Sequence, residues 1–202
     1  MKLLLGNDEW NVVEEGFHPE LNRVIESITS LGNGHMGMRG NFEEKYSGDR
    51  LQGTYIAGVY YPDRTVVGWW KVGYPEYFAK VLNAVNFIGI DVTLGQKPLD
   101  LHTWKPAGFR RSLDMQKGEL SRHFRVQDPE GRTFFIQTKR FVSKEHRELA
   151  GISYSVTLEA DPTQEGSEII FTPYLDGNVV NEDANYGEDF WIGVAESSNL
   201  DL

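Results

Sequence analysis

Tyr154, Val156 and Leu158 alternate with Ser155, Thr157 and Glu159. A period of two sends successive side chains to opposite faces of an extended chain, so this run predicts a half-buried strand. Leu120, Phe124 and Val126 alternate in the same way with Ser121, His123, Arg125 and Gln127, and Arg122 interrupts the apolar face. Ile169, Phe171 and Leu175 continue the pattern as far as Asp176-Gly177. Turn residues separate these runs at Gln116-Lys117-Gly118 and at Asp128-Pro129-Glu130-Gly131. In the second turn Pro129 pre-sets φ and Gly131 completes the reversal. A further hairpin is predicted to join Phe87–Leu94 to Leu99–His102 through Gly95-Gln96-Lys97-Pro98. No segment shows sustained helical periodicity with caps at both ends. The 21 glycines fall at turn-like intervals, and the reading is an all-β antiparallel meander.

One region breaks the alternation. The stretch from Pro62 to Asn86 reads as a long loop and holds Trp69, Trp70, Tyr74, Tyr77 and Phe78. Loops of that length are usually functional or disordered, and one so aromatic is poorly suited to water. Three roles are open to it. It could cover the protein's own core, pack on another domain or subunit, or present ring faces to a sugar. Trp69, Trp70, Tyr74 and Tyr77 are the candidate contact residues. The tail from Asn178 to Leu202 is rich in Asn, Asp and Glu and reads as a loop or the start of a connection.

Composition narrows the function classes. The 202 residues fit one domain, and 40% hydrophobic with 25% charged content is enough for a sizeable core. A net charge of −10 argues against nucleic acid or an anionic membrane as partner. With no cysteine, disulfides and thiolate metal sites are excluded, which suits a cytoplasmic protein. The opening MKLLLGNDEW has an apolar run of three leucines and no cleavage pattern, so no signal peptide is expected. No apolar run is long enough to span a bilayer.

Gly32-Asn33-Gly34-His35-Met36-Gly37 matches G-x-G-x-x-G. A dinucleotide site needs a helix directly after that motif, and Met38-Arg39-Gly40-Asn41 supplies a fourth glycine instead. Gly32, Gly34, Gly37 and Gly40 are therefore expected to form a tight turn between strands, with backbones in close approach. Adjacent acids occur at Glu14-Glu15, Glu43-Glu44, Glu182-Asp183 and Glu188-Asp189. Neighbours on a strand face opposite ways, so such pairs are poor candidates for the two carboxylates of a glycosidase. The five histidines show no metal-binding spacing, and no metal is expected.

Long blocks carry a family resemblance: ESITSLGNG, RGNFEEKYSG, GTYIAGVYYPD, GWWKVGYPEYFAKVLNAVNFIGI, RRSLDMQKGELSR and YLDGNVVNEDANYGEDFW. The chain resembles the glycoside hydrolase family 65 disaccharide phosphorylases, the maltose phosphorylase group in particular, over nearly its whole length. The resemblance implies a large antiparallel β-sandwich of the galactose-mutarotase-like supersandwich type, with residues 1–202 as the N-terminal domain of a longer phosphorylase. That family's sandwich is somewhat longer, so its last strands are expected to lie beyond Leu202. The implied parent converts an α-glucose disaccharide and inorganic phosphate to β-glucose 1-phosphate and glucose, with no other cofactor. Its catalytic acid and phosphate-binding loop belong to a helical barrel that this chain does not contain, so no catalytic residue is carried over. The expected partners are that C-terminal barrel and a second subunit in a homodimer, with α-glucoside contact as a further option. Two other readings stay open: an independent carbohydrate-binding module, and a small mutarotase-like sugar enzyme in which His35 or His123 works with a nearby Glu as acid and base.

Overall fold

The computed structural model describes residues 9–65 and 73–181 together with Trp191. The predicted alternation becomes real strands. In chain order they are β1 (Asn11–Glu15), β2 (Leu31–Gly32), β3 (Met36–Met38), β4 (Thr54–Ile56), β5 (Tyr60–Arg64), β6 (Tyr77–Val81) and β7 (Ile90–Leu94). They continue with β8 (Lys97–Pro98), β9 (Ala107–Asp114), β10 (Glu119–Gln127), β11 (Thr133–Val142), β12 (Ala150–Ala160) and β13 (Ile169–Pro173). Two short helices, α1 (Asn22–Ile28) and α2 (Leu101–Trp104), interrupt them.

The pairing is antiparallel throughout the named strands. One sheet of five runs β1-β9-β10-β11-β12, and a second of three runs β13-β7-β8. Side chains from the two sheets meet in a core that includes Phe109, Phe124, Phe134 and Ile136 from the first and Val92 and Leu94 from the second. That is a β-sandwich, as the family resemblance implied. A second cluster holds Leu31, Met38, Ile88, Leu113 and Leu120.

Between the two clusters lies a polar layer. The register places Glu14, Arg111, Arg122, Thr138 and Tyr154 in a single row across the five strands. Arg140 stands in the adjacent row, opposite Leu120 and Ile152. Arg111, Arg122 and Arg140 are all at most 4% exposed. A buried guanidinium must find partners or pay a large desolvation cost. Most of the partners come from one short segment, Arg39 to Glu44, with Glu14 and Asn22 adding bonds to Arg111. Arg140 donates to the Arg39 carbonyl at 2.6 Å and to Glu43 at 3.2 Å. Arg111 donates to the Gly40 carbonyl at 2.9 Å and to Glu14. Arg122 reaches both Glu43 and Glu44. The Phe42 ring lies beneath two of the cations, 5.0 Å from Arg111 and 4.6 Å from Arg122. The interruption of the apolar face at Arg122 is thus a deliberate buried charge.

Three sequence expectations need correction. The partner of β7 is not Leu99–His102: it is Lys97–Pro98, and a turn of helix follows from Leu101. Asp100 ends the strand by accepting the His102 amide at 3.0 Å as a helix N-cap, so the chain leaves the ladder there. Helix α1 has no counterpart in the sequence reading, because its buried positions are Asn22, Ile25 and Glu26 while Val24 and Ile28 face solvent. An inward polar face gives no apolar period to detect. Third, the stretch from Pro62 to Asn86 is not a loop in its described part: β5 and β6 pair from Tyr60↔Val81 to Arg64↔Tyr77.

The glycine motif forms the expected turn. Gly32 and Gly37 pair across β2 and β3, and Gly34 sits between them at φ +86°. Asn33 closes the turn by accepting the His35 and Met36 amides, and it donates to the carbonyls of Ser143 and Arg147. Close backbone approach is a property of Gly40 rather than Gly37. A Cβ on Gly37 would meet only the Leu31 carbonyl at 3.6 Å, whereas one on Gly40 would lie 2.0 Å from Thr29 Oγ1.

One flank of the sandwich is open. Among the described residues β12 pairs only with β11, and β13 only with β7. The inward residues of β12, Ile152, Tyr154, Val156 and Leu158, are only half-buried. Tyr154 and Phe171 meet edge to face at 5.8 Å and bridge the two sheets there.

Candidate functional site

The β5–β6 ribbon is the part of the fold whose aromatic side chains lie outside both core clusters. Its two strands pair with each other and with no third strand among the described residues. Its aromatic and apolar side chains face water: Tyr60, Tyr74 and Tyr77 are all more than half exposed, as is Val81, and Tyr61 and Phe78 are 43% exposed. None of them belongs to either core cluster. A two-stranded ribbon is marginal by itself in water, so this one depends on its internal ties and its base. Thr65 donates to the Pro75 carbonyl at 2.6 Å and its amide to the Glu76 carbonyl at 2.8 Å. Lys80 stands 3.6 Å from Asp63, across the diagonal of the ladder, with both side chains largely covered.

The base is held by amide side chains. Asn83 donates to the carbonyls of Gln52 and Val180 and takes its own amide bond to Asn181 Oδ1. Asn181 returns a bond to the Val81 carbonyl at 2.7 Å, and the Trp191 indole donates to the Asn83 carbonyl at 2.7 Å. Residues nearly 100 positions apart thus clamp the root of the ribbon. Its aromatic faces project from a fixed frame.

Of the candidate contact residues, Tyr74 and Tyr77 stand on this ribbon, exposed. Trp69 and Trp70 lie outside the described residues. The role of covering the protein's own core does not fit Tyr74 or Tyr77. Tyr60, Tyr61 and Val81 were not singled out from the sequence. The Tyr60-Tyr61 doublet before Pro62 carried the signal, since two adjacent rings on an extended chain cannot both face a core.

The acidic pairs resolve into structure where they are described. Glu14 points inward to Arg111 and Glu15 outward to Arg110, as strand geometry requires. Glu43 and Glu44 both turn inward. Burial raises the Glu43 carboxyl, yet Arg140 and Arg122 together hold it below the ordinary glutamate range. Glu26 behaves oppositely: burial lifts it above that range despite bonds from the Leu51 amide and from Asn22 and Asn41. The layer thus balances the guanidiniums of Arg111, Arg122 and Arg140 against Glu14, Glu43 and Glu44. Both Glu43 and Glu44 are at most 3% exposed, so neither can meet a substrate. Glu182, Asp183, Glu188 and Asp189 lie outside the described residues.

His35 and His123 are the histidines that the acid–base reading names. His123 faces outward between Arg110 and Gln137. His35 lies near Glu148, a fully exposed carboxylate held down chiefly by Arg147. Neither ring makes a hydrogen bond to a carboxylate among the described residues.

Residues 12–200 match the family model described as glycosyl hydrolase family 65, N-terminal domain. The chain belongs to that family. It is 50% identical to the maltose phosphorylase of Bacillus subtilis over 91% of this chain and 24% of that protein. It is 33% identical to the α,α-trehalose phosphorylase of Thermoanaerobacter brockii over 92% of this chain and 24% of that protein. A solved structure from human microbiome, assigned as a kojibiose phosphorylase, superposes with a TM-score of 0.75 at 30% identity, covering 89% of this chain and 23% of that one. The chain therefore spans about a quarter of the relatives it matches.

Proposed function

We propose that this chain is the non-catalytic N-terminal sandwich of a disaccharide phosphorylase of the maltose type. The observation that carries the substrate is the drop in identity from 50% with the maltose phosphorylase to 33% with the trehalose phosphorylase over nearly the same residues. The parent would cleave an α-glucose disaccharide with inorganic phosphate, in the cytoplasm, and release β-glucose 1-phosphate and glucose. Chemistry would reside in a helical barrel supplied by the rest of the protein. The sandwich would support that barrel, and its aromatic ribbon would pack on the barrel or on a second subunit. Exposed Tyr60, Tyr74, Tyr77 and Phe78 support the packing role, because rings of this kind concentrate at the centres of interfaces.

A coupled assay for glucose 1-phosphate tests the division of labour. The 202-residue chain with maltose and phosphate is expected to match the no-protein control, while the parent turns over. Turnover by the isolated chain, or a parent that ignores maltose, would sink the proposal.

An independent carbohydrate-binding module is the competing reading, and the same exposed tyrosines favour it. Association separates the two. If the ribbon is an interface, the chain alone should self-associate through it, burying on the order of 1,000 Å² or more. Tyr77→Ser with Phe78→Ser should then leave a monomer in sedimentation and barely move the melting temperature. A chain that stays monomeric at high concentration, with maltose-dependent quenching abolished by those changes, would instead establish the module.

A further inference from the structure

At one end of the sandwich three connections converge: the β7–β8 turn, the β10–β11 turn and the 161–168 segment that joins β12 to β13. Arg132 ties them. Its backbone amide and Nε bind Asp128 at 2.8 and 2.6 Å, and its Nη1 donates to the Gly166 carbonyl at 3.0 Å. The Gly95 amide adds a bond to the Glu168 carbonyl at 2.8 Å. Asp161 fixes the third connection by accepting the amides of Thr163 and Gly166 and the Thr163 hydroxyl. The walls are therefore set before anything binds.

Two adjoining hollows lie between these walls. The larger is about 710 Å³ and is lined by Gln96, Lys97, Glu130, Arg132, Glu165 and Ser167 among others. The smaller is about 310 Å³ and presents Trp104 with Thr103, Gln127 and Asp128. Lys97 borders both, and the Asp128–Arg132 pair stands between them. Their volumes lie in the range of small-ligand sites.

We propose that this groove is a saccharide-binding site, separate from the aromatic ribbon, which takes a neutral oligosaccharide with one ring against Trp104 and the next across Lys97. The Trp104 indole N–H is already committed to the Pro98 carbonyl at 3.0 Å. The ring is half-buried and packs in part against the main core cluster, so what it has left to offer a ligand is the remaining apolar surface, which suits the C–H face of a pyranose. Beside it the Thr103 hydroxyl donates to the Asp100 carbonyl and Gln127 Nε2 to the Gly131 carbonyl, which leaves a ligand their oxygens as acceptors and the second Gln127 N–H as a donor; the larger hollow adds Gln96, the Lys97 ammonium and the carboxylate of Glu165. Such a mixture matches hydroxyl groups, each of which donates once and accepts twice. Polyanions are disfavoured, since Lys97 and Arg132 are offset by Glu130, Glu165 and Glu168, and Arg132 is already engaged with Asp128. A purely apolar ligand would leave these polar groups unpaired.

The test is titration of the 202-residue chain with maltoheptaose, followed by amide chemical shifts and calorimetry. Binding at millimolar strength or better is expected, with shifts confined to residues 95–97, 103–104, 127–132 and 165–167. Lys97→Ala with Gln127→Ala alters exposed side chains only and should weaken binding about tenfold without changing the melting temperature. Trp104→Ala should abolish binding, and Trp104→Tyr, which keeps an aromatic face if the alanine variant unfolds, should retain part of it. No shifts at saturating sugar, shifts that map to the β5–β6 ribbon, or unaltered affinity in the Lys97/Gln127 variant would each overturn the proposal. Because the assay scores binding rather than phosphorolysis, its result is independent of the parent's reaction.

Discussion

Arg122→Met is expected to cost about 3–5 kcal/mol of folding stability, the largest loss of any single change in this chain. The guanidinium is buried and holds Glu43 and Glu44 at once. A methionine fills similar space but leaves Glu44 without its cation, while Glu43 keeps Arg140. The sign of the pH dependence follows from Glu43, which Arg140 and Arg122 hold depressed in the folded state. Its stabilisation is present above the unfolded value of about 4.3 and is lost as pH falls through the folded one. Arg122→Met removes one of those two cations, so thermal melts from about pH 7 down to 3 should show the gap between native and variant protein narrowing toward acid. Adding Glu44→Met to Arg122→Met removes the orphaned charge and should recover much of the loss at neutral pH. A pH-independent cost below about 1 kcal/mol would show that the arginine row does not hold the two sheets' interior together.

Gly40→Ala is expected to destabilise by about 3 kcal/mol, although alanine is the smallest possible addition. The new Cβ would lie 2.0 Å from Thr29 Oγ1 and 3.3 Å from the Glu26 Cα. Neither side can yield easily. Thr29 is buried and its hydroxyl donates to the Ile25 carbonyl at 2.7 Å. Gly40 is pinned through its amide to the Glu26 carbonyl at 2.7 Å and through its carbonyl to Arg111. Any shift that relieves the clash therefore pulls on the buried charge layer. Thr29→Ala should rescue part of the loss, and that coupling, read in a double-mutant cycle, distinguishes crowding from a general helix defect. Gly34→Ala should cost less, about 1–2 kcal/mol, because φ is +86° there but nothing lies within 4 Å. If the two glycine variants proved equally mild and Thr29→Ala showed no coupling, close packing of α1 on the Arg39–Glu44 segment would be wrong.

These two predictions meet in the same six residues. Arg39 to Glu44 follow a turn, carry no periodic pattern and contain only one large apolar side chain, Phe42. Their carbonyls and carboxylates nevertheless reach all three buried arginines. A pattern search is blind to such a segment because its burial is driven by charge pairing rather than by apolar area. The same blindness hid α1, whose buried face is Asn22, Ile25 and Glu26.

What the sequence determined by itself was everything governed by near neighbours along the chain. Alternation located β10 and β12 and the start of β13, although Leu175 lies past that strand and is exposed; turn residues placed the reversals at Gly118 and Gly131, and the glycines at 32–37 form a strand-to-strand turn. Family-length blocks of identity told the rest of the fold class. The tertiary structure alone decided which polar residues are interior. Arg122 already interrupts an apolar face in the sequence, but Arg111 and Arg140 look like surface charges on paper, and all three become core residues because strands β9, β10 and β11 bring them beside one another and the Arg39–Glu44 segment reaches over them. It alone showed that Tyr60 and Tyr77 occupy an exposed ribbon, since exposure depends on whether a third strand arrives. It alone joined Trp104, Gln127 and Lys97 at one end of the sandwich, from three connections with no common signal in the chain. The physical reason is the same in each case. Burial and juxtaposition are set by partners distant in sequence, and a local pattern reports a partner only when the contact is apolar and repeats with the period of the backbone.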